Sequence, residues 1–214
     1  MLMFVLAATG CNLPRKEPPR PVVTAAPPTK ADIWQGVAST ADLDRIRRLG
    51  TAWSSGLAEA RTAGFREAIR AEGALLEPNA ARSRPAPTPG SYSCRMVRLG
   101  REGSKGPAFQ KFKPFFCYVE VEGPLFTIVK QTGSQRPAGR LWEDDITSRL
   151  IFLGTLALGS EEEARAYGDD PRRNMAGVFE RIGPFVWRLV IPYPQNGAQL
   201  DVFELTPVAE QPKE

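Results

Sequence analysis

The chain has 214 residues, of which 42% are apolar, and its 28 lysines and arginines outnumber its 24 aspartates and glutamates by four. It contains no histidine, which excludes Ser-His and Cys-His nucleophilic catalysis. Without histidine, the three cysteines do not make a zinc-ligand set. We therefore expect a protein that carries no metal ion and no cofactor.

The start of the chain is mostly apolar through residues 1–10 and is followed by Cys11. Residues 8–11, which read Ala-Thr-Gly-Cys, resemble the lipobox of bacterial lipoproteins. The resemblance implies that residues 1–10 are a signal peptide and that Cys11 becomes the lipidated N-terminus. It also implies a cell-envelope protein facing the periplasm, and Asn12 favours the outer over the inner membrane. The alternative is a tail that happens to be apolar.

Residues 11–30 are predicted to be a tether. Six of the nineteen residues from Asn12 to Lys30 are proline, a composition that favours extended polyproline II and cannot pack a core. Four basic residues against one acidic residue give this stretch a net charge of +3 of the total +4. The tether is either drawn to anionic lipid or a solvated spacer. Residues 31–214 carry a net charge of only +1, so we expect no nucleic-acid partner.

Residues 31–90 are predicted to form a helical segment and a connector. Ser39 and Asp42 have the spacing of a helix capping box. Apolar residues then follow at helical spacing, at Leu43, Ile46, Leu49, Trp53 and Leu57. A second short helix is predicted over residues 65–72, and a Pro-rich connection follows at residues 80–90.

Residues 91–207 are predicted to form an antiparallel β domain packed on the helices, followed by a tail at 208–214. Short β-type runs are separated by turn residues, and the predicted strands cover residues 92–99, 115–122, 125–131, 138–142, 150–158, 176–182, 186–192 and 200–205. The fold class is therefore mainly β with N-terminal helices (α+β). An eight-stranded meander closes into a small barrel, because closure removes exposed strand edges, or else forms a strongly curved sheet.

Cys94 and Cys117 fall on the first two predicted strands, which a hairpin places side by side. An even pair of cysteines in an exported domain favours a disulfide, worth about 3 kcal/mol by loop closure, over two buried thiols.

Residues 131–140 are the candidate binding loop, because polar donors and glycine join two predicted strands there. The candidate residues are Gln131, Thr132, Gly133, Ser134, Gln135, Arg136 and Arg140. Arg136 offers a bidentate fork to a carboxylate. The alternative is a plain hairpin turn with a structural arginine. Residues 101–113, with four basic residues and two phenylalanines, are predicted to be a solvated loop.

The sequence contains few residues that could carry out catalysis, and we do not expect the protein to be an enzyme. A carboxylate-only hydrolase would need two acids at a working separation. The candidates are Glu143, Asp144, Asp145, Glu180 and Glu204, and nothing in the sequence pairs any two of them.

A set of short motifs spans residues 34–207. It comprises Trp34 with Asp42 and Arg45, and residues 72–76, 92–95, 116–117, 132–137, 152–155, 175–177, 181–184 and 187–189. In combination these motifs resemble an uncharacterised family of exported alphaproteobacterial proteins of similar length. In architecture the predicted barrel is similar to the periplasmic lysozyme inhibitors and metalloprotease inhibitors of Gram-negative bacteria.

We therefore predict an exported, lipid-anchored binding domain. The first hypothesis is a protein-binding module, such as an inhibitor of an envelope hydrolase, that acts through residues 131–140. The second is a carrier of a small apolar ligand inside the barrel, which a void beside Trp187 and Phe152 would favour. The third is the carboxylate-only hydrolase.

Overall fold

The fold is known from a computed structural model that describes residues 27–103, 106–133, 135–159, 161 and 164–208. The predicted signal peptide, the predicted lipidation site Cys11 and most of the predicted tether lie outside the described residues, as does Ser134.

From residue 27 onward, four helices precede the sheet, and polar caps set where the first two begin. They are α1 (Lys30–Val37), α2 (Thr40–Arg47), α3 (Leu49–Thr62) and α4 (Arg66–Ala71), followed by a 3-10 turn at Gly73–Leu76. Thr29 and Asp32 form a capping box at the start of α1, and the Ser39 hydroxyl accepts a hydrogen bond from the backbone of Asp42 at the start of α2. None of the helices in the described part of the chain is long and apolar enough to cross a bilayer.

The described residues form nine strands, which are all antiparallel to their neighbours and close into a ring. They are β1 (Gly90–Leu99), β2 (Phe109–Lys111), β3 (Phe115–Glu122), β4 (Leu125–Lys130), β5 (Gln135–Glu143), β6 (Arg149–Leu158), β7 (Asn174–Gly183), β8 (Val186–Pro192) and β9 (Leu200–Pro207). Strand β1 pairs with β9, and this pairing closes the sheet. Because β2 and β3 both pair along one edge of β1, the ring has eight positions. The predicted eight-stranded antiparallel barrel with N-terminal helices is thus confirmed.

Strand β2 corrects the prediction that residues 101–113 form only a solvated loop. Phe109 in β2 is buried, and its ring stacks on that of Phe65 with 5.5 Å between the centroids. The alternating strand pattern is too short here to be read from the sequence. Pairing with β1 and this contact with the residue before α4 hold the segment against the barrel.

Two apolar layers build the molecule. The larger side chains of the barrel interior include Tyr92, Phe152, Phe179, Trp187 and Leu205. Outside the barrel, α3, α4 and the 3-10 turn cover β1, β8 and β9, while α1 and α2 cover β6 and β7. The outer face of β3 and β4 keeps Phe116 and Val129 exposed.

Candidate functional site

The segment predicted as a binding loop is only partly a loop. Residues 131–134 connect β4 to β5, whereas Gln135–Arg140 lie within β5 and pair with β6 from Leu158 to Leu153. This corrects the predicted start of that strand from residue 138 to residue 135. The pairing of β5 with β6 begins three residues earlier than the polar, glycine-containing sequence of residues 131–137 indicates.

The two arginines of this segment are engaged within the chain. The Arg136 guanidinium donates to the backbone carbonyls of Gly133 at 3.2 Å and Gly159 at 2.8 Å, and also to that of Glu161. Arg140 forms an exposed pair with Glu122, and its hydrogen bonds lower the pKa of the Glu122 carboxyl. Arg136 therefore holds the β4–β5 and β6–β7 connections together.

The loop end of the barrel, where residues 131–133, 164–173 and 193–199 lie between strands, contains a cavity of about 280 Å³. We call this the mouth cavity. Its apolar wall comes from side chains on the inner face of the barrel strands, at Met96, Pro137, Leu156, Met175, Ile191 and Phe203. Its polar lining includes Arg45, Arg98, Lys130, Gln135, Asn174 and Asp201.

Deeper in the barrel the interior is filled. Phe152 is fully buried, and the void beside it measures about 10 Å³, which holds one water molecule at most. Glycine at position 154 makes room for this ring, because a Cβ there would lie 2.5 Å from it. Trp187 packs edge-on against Tyr92 and donates its indole N–H to the Pro85 carbonyl at 3.0 Å. A ligand carried beside Trp187 and Phe152 is therefore not accommodated, and the available space lies at the mouth.

An ion pair crosses the wall of the mouth cavity between β1 and β9. Arg98 donates from Nε to Asp201 Oδ1 at 2.6 Å and from Nη2 to Oδ2 at 2.9 Å, and both side chains are buried. The remaining Nη1 of Arg98 donates to Glu102 at 2.7 Å. Burial raises the pKa of the Asp201 carboxyl, and the hydrogen bonds from Arg98 oppose that effect.

Lys130 differs from the other charged groups of the cavity. It ends β4 on the inner face, and its Nζ lies 4.3 Å from the centre of the Phe115 ring. Within the described residues, no carboxylate lies within ion-pairing distance of this nitrogen. Burial lowers the pKa of Lys130, because the charged ammonium loses contact with water.

Asp42, a buried carboxylate in α2, fixes the side of the mouth cavity that faces the helices. Asp42 is fully buried and accepts hydrogen bonds from Ser39, Arg45, Tyr167 and the amide of Asn174. Burial and the bond to Asp42 raise the pKa of the Tyr167 hydroxyl. This network fixes Arg45 in α2 against β7.

The predicted disulfide between Cys94 and Cys117 is confirmed. Their Cα atoms are 6.0 Å apart, and the bridge lies in the barrel interior. In the ladder, Cys94 lies opposite Phe115 and Cys117 lies opposite Tyr92, so the bridge joins diagonal positions of β1 and β3.

The candidate catalytic acids lie in two groups, and each acid is engaged by a hydrogen bond or an ion pair within the chain. Glu143 pairs with Lys30, and Asp145 accepts a hydrogen bond from the backbone of Ala31. Asp144 accepts from Trp34 and Arg149, Glu180 from Arg188, and Glu204 from Arg95. The described residues hold no group of three His, Cys, Asp or Glu side chains that is arranged as metal ligands.

Sequence reasoning missed Arg98, Lys130 and Asp201. The available signal was strand alternation, since Arg98 is in phase with the inward Tyr92 and Cys94. Each of the three lies at or next to a strand end on the loop side of the barrel. A charged residue in phase with inward apolar positions, at a strand end, therefore marks a barrel mouth.

Comparison with known proteins gives one match. The sequence model of a family described as a domain of unknown function (DUF4893) matches residues 34–205. No curated protein and no solved structure matches the chain.

Proposed function

This chain belongs to the DUF4893 family of domains of unknown function, and we propose that it is a binding domain that takes a small, partly apolar molecule into the mouth cavity. The observation that carries the proposal is the contrast within one barrel. The interior around Phe152 is filled, yet the loop end keeps about 280 Å³ of space between apolar walls and charged groups. Binding pockets for small molecules combine these two properties.

The size of the mouth cavity limits the ligand. Its volume of about 280 Å³ lies just below the range of known ligand pockets, which begins at about 300 Å³. It therefore suits one short apolar group better than the two chains of a phospholipid. Met96 and Leu156 on its wall are half-buried, so a ligand would remove apolar surface from water, which favours binding.

We also propose that the domain acts in the cell envelope, anchored through a lipid on Cys11. The apolar start, the lipobox-like residues 8–11 and the Pro-rich tether support this placement. A disulfide between Cys94 and Cys117 is typical of an oxidising compartment.

A protein-binding function is the second candidate. It is favoured by Phe116, whose side chain is 55% exposed and whose carbonyl accepts a hydrogen bond from the backbone of Gln131. An exposed aromatic ring beside the polar loop 131–133 is typical of a protein-binding surface. An envelope hydrolase would contact this outer patch and not the mouth cavity.

An uncharged, polarity-sensitive dye tests the proposal on the full-length protein. We expect the fluorescence of the dye to increase when it binds the wild type. The Leu156→Trp variant should not bind the dye, because the indole fills the mouth cavity. The matched control is Val129→Trp, which places the same ring on the exposed outer face of β4 and should keep dye binding. Equal dye binding by Leu156→Trp, with its fold verified by circular dichroism, would contradict the proposal. Organic extraction and mass spectrometry of the wild type then identify the bound molecule.

A further inference from the structure

We propose that the molecule bound in the mouth cavity is a single-chain amphiphile with an oxyanion head, a carboxylate or a phosphate monoester, and that Lys130 binds this head. The inference rests on the binding function proposed above and names its ligand class. It follows from the charge balance of the cavity, from the position of Lys130 and from the lining around it.

The charge balance singles out Lys130. Arg98 already uses Nε and both terminal nitrogens on Asp201 and Glu102. Arg45 pairs with Asp42 at 2.5 Å. Lys130 is the cation of the mouth cavity for which the described residues provide no carboxylate partner. Lys130 is half-buried, so its ammonium has lost part of its hydration without gaining a counter-charge, and a bound anion would offset that loss.

The position of Lys130 matches the boundary of an amphiphile. On one side it lines the apolar mouth cavity, beside Leu156 and Pro137. On the other side it lines an outer recess of about 550 Å³ together with Thr132, Gly133 and Gln135. The ammonium therefore lies where apolar walls give way to polar groups, and a head group bound there leaves its chain in the mouth cavity.

Among the described residues, none accepts a hydrogen bond from the Lys130 ammonium. The Phe115 ring contacts Nζ through its face, which attracts a cation but accepts no proton and satisfies none of the three N–H donors. Gly133 stands beside the tip of the side chain, where a Cβ would lie 3.5 Å from Nζ. The side-chain amide of Gln135 also lines the cavity and can donate to the same oxyanion.

Displacement of the bound uncharged dye tests the ligand class with three ten-carbon compounds, decanoate, decyl phosphate and decanol. We expect one of the two acids to bind the wild type about tenfold more tightly than decanol, as one charge-assisted contact gives. The tighter acid tells whether the head is a carboxylate or a phosphate. Lys130→Met should reduce the preference to about twofold or less, while Lys130→Arg should keep it.

The control is Lys113→Met, which removes the same charge from an exposed position on the outer recess. If the three compounds bind the wild type equally while the dye still binds, the ligand class is wrong and the proposed function stands. If Lys113→Met weakens the acids as much as Lys130→Met does, the assignment to Lys130 is wrong. If neither the dye nor any compound binds, the proposed function itself is wrong.

Discussion

Arg98 and Asp201 face each other across the seam of the barrel, where β1 pairs with β9, and two hydrogen bonds of 2.6 and 2.9 Å join them. The two residues are directly opposed in the ladder, and their side chains point inward. The pair thus closes the ring at the end where the mouth cavity opens. Burying the two charges costs desolvation free energy, and the pair lies where polar groups also line the mouth cavity.

The first prediction concerns this pair. Asp201→Ala leaves the Arg98 guanidinium buried without its main partner, so we expect the free energy of unfolding to fall by about 3–5 kcal/mol. The double variant Arg98→Met, Asp201→Leu removes both charges and should recover most of that loss. Urea denaturation measures all three proteins. The exposed pair of Arg70 and Glu67 is the control, and Arg70→Ala should cost less than about 1 kcal/mol. A double variant as unstable as Asp201→Ala would contradict the explanation.

The second prediction concerns the disulfide. Cys94 and Cys117 are 23 residues apart, and a loop of that length gives the bridge about 3 kcal/mol of stability on the chain-entropy model. We expect the Cys94→Ala, Cys117→Ala variant to lose at least this amount, because the smaller side chains also leave space in the barrel interior. Reductant should shift the urea midpoint of the wild type and leave that of the variant unchanged. A wild type insensitive to reductant would count against the bridge.

The architecture was predictable because the signals that set it are local and periodic. Phe115 to Glu122 alternate inward and outward, and the links at Gly123 and Gly183 mark hairpins, so the order of the eight ring strands followed from the sequence. Closure of the sheet did not, because a strongly curved sheet fits the same pattern. Cys94 and Cys117 followed from the same strand assignment. The break between α2 and α3 at Arg48 was not predicted, since the apolar stripe from Leu43 to Leu57 continues across it.

The candidate site was much less predictable than the fold. The mouth cavity exists because the inward side chains at that end do not fill the barrel. Whether they fill it depends on the packing of all eight ring strands, which no single strand sequence shows. The composition of residues 131–140 predicts a binding loop. In the structure, however, the Arg136 guanidinium donates its hydrogen bonds to backbone carbonyls of the chain. Lys130, one residue before that segment, was overlooked because a lysine at a strand end is ordinarily solvated.

The third prediction separates the two roles of Arg136. Because its guanidinium donates to three backbone carbonyls of two connections, we expect Arg136→Ala to lower the free energy of unfolding by about 1–2 kcal/mol. Arg140→Ala is the matched control in the same strand. It removes an exposed pair with Glu122 and should cost less than about 1 kcal/mol. An Arg136→Ala protein with unchanged stability that no longer captures an envelope protein would instead favour the recognition role.

The fourth prediction concerns the anchor. If Cys11 carries the lipid, Cys11→Ala should move the protein from the membrane fraction to the soluble fraction and abolish labelling by a fatty-acid probe. Cys94→Ala, Cys117→Ala is the control, because it changes the other two cysteines and should keep the label. A wild-type protein that takes up no label would remove the proposal of a lipid anchor.

The fifth prediction concerns the pH dependence of ligand binding. Burial lowers the pKa of Lys130, so in the free protein its ammonium loses its proton below the usual value for lysine, near 10.4. A bound anion favours the protonated form and raises that pKa again, so binding takes up a proton in this range. The affinity for decanoate should therefore fall as the pH rises through the pKa of free Lys130.

Other groups in the mouth cavity set the controls for that measurement. Arg45, Arg98, Asp201 and Tyr193 are the other ionisable residues that line the cavity, and all four are unchanged in the Lys130 variants. Lys130→Arg should keep its affinity to higher pH, because a guanidinium does not deprotonate there. Lys130→Met should bind decanoate weakly with no alkaline decline. A decline with the same midpoint in Lys130→Met would assign the titration to another group and overturn the role of Lys130.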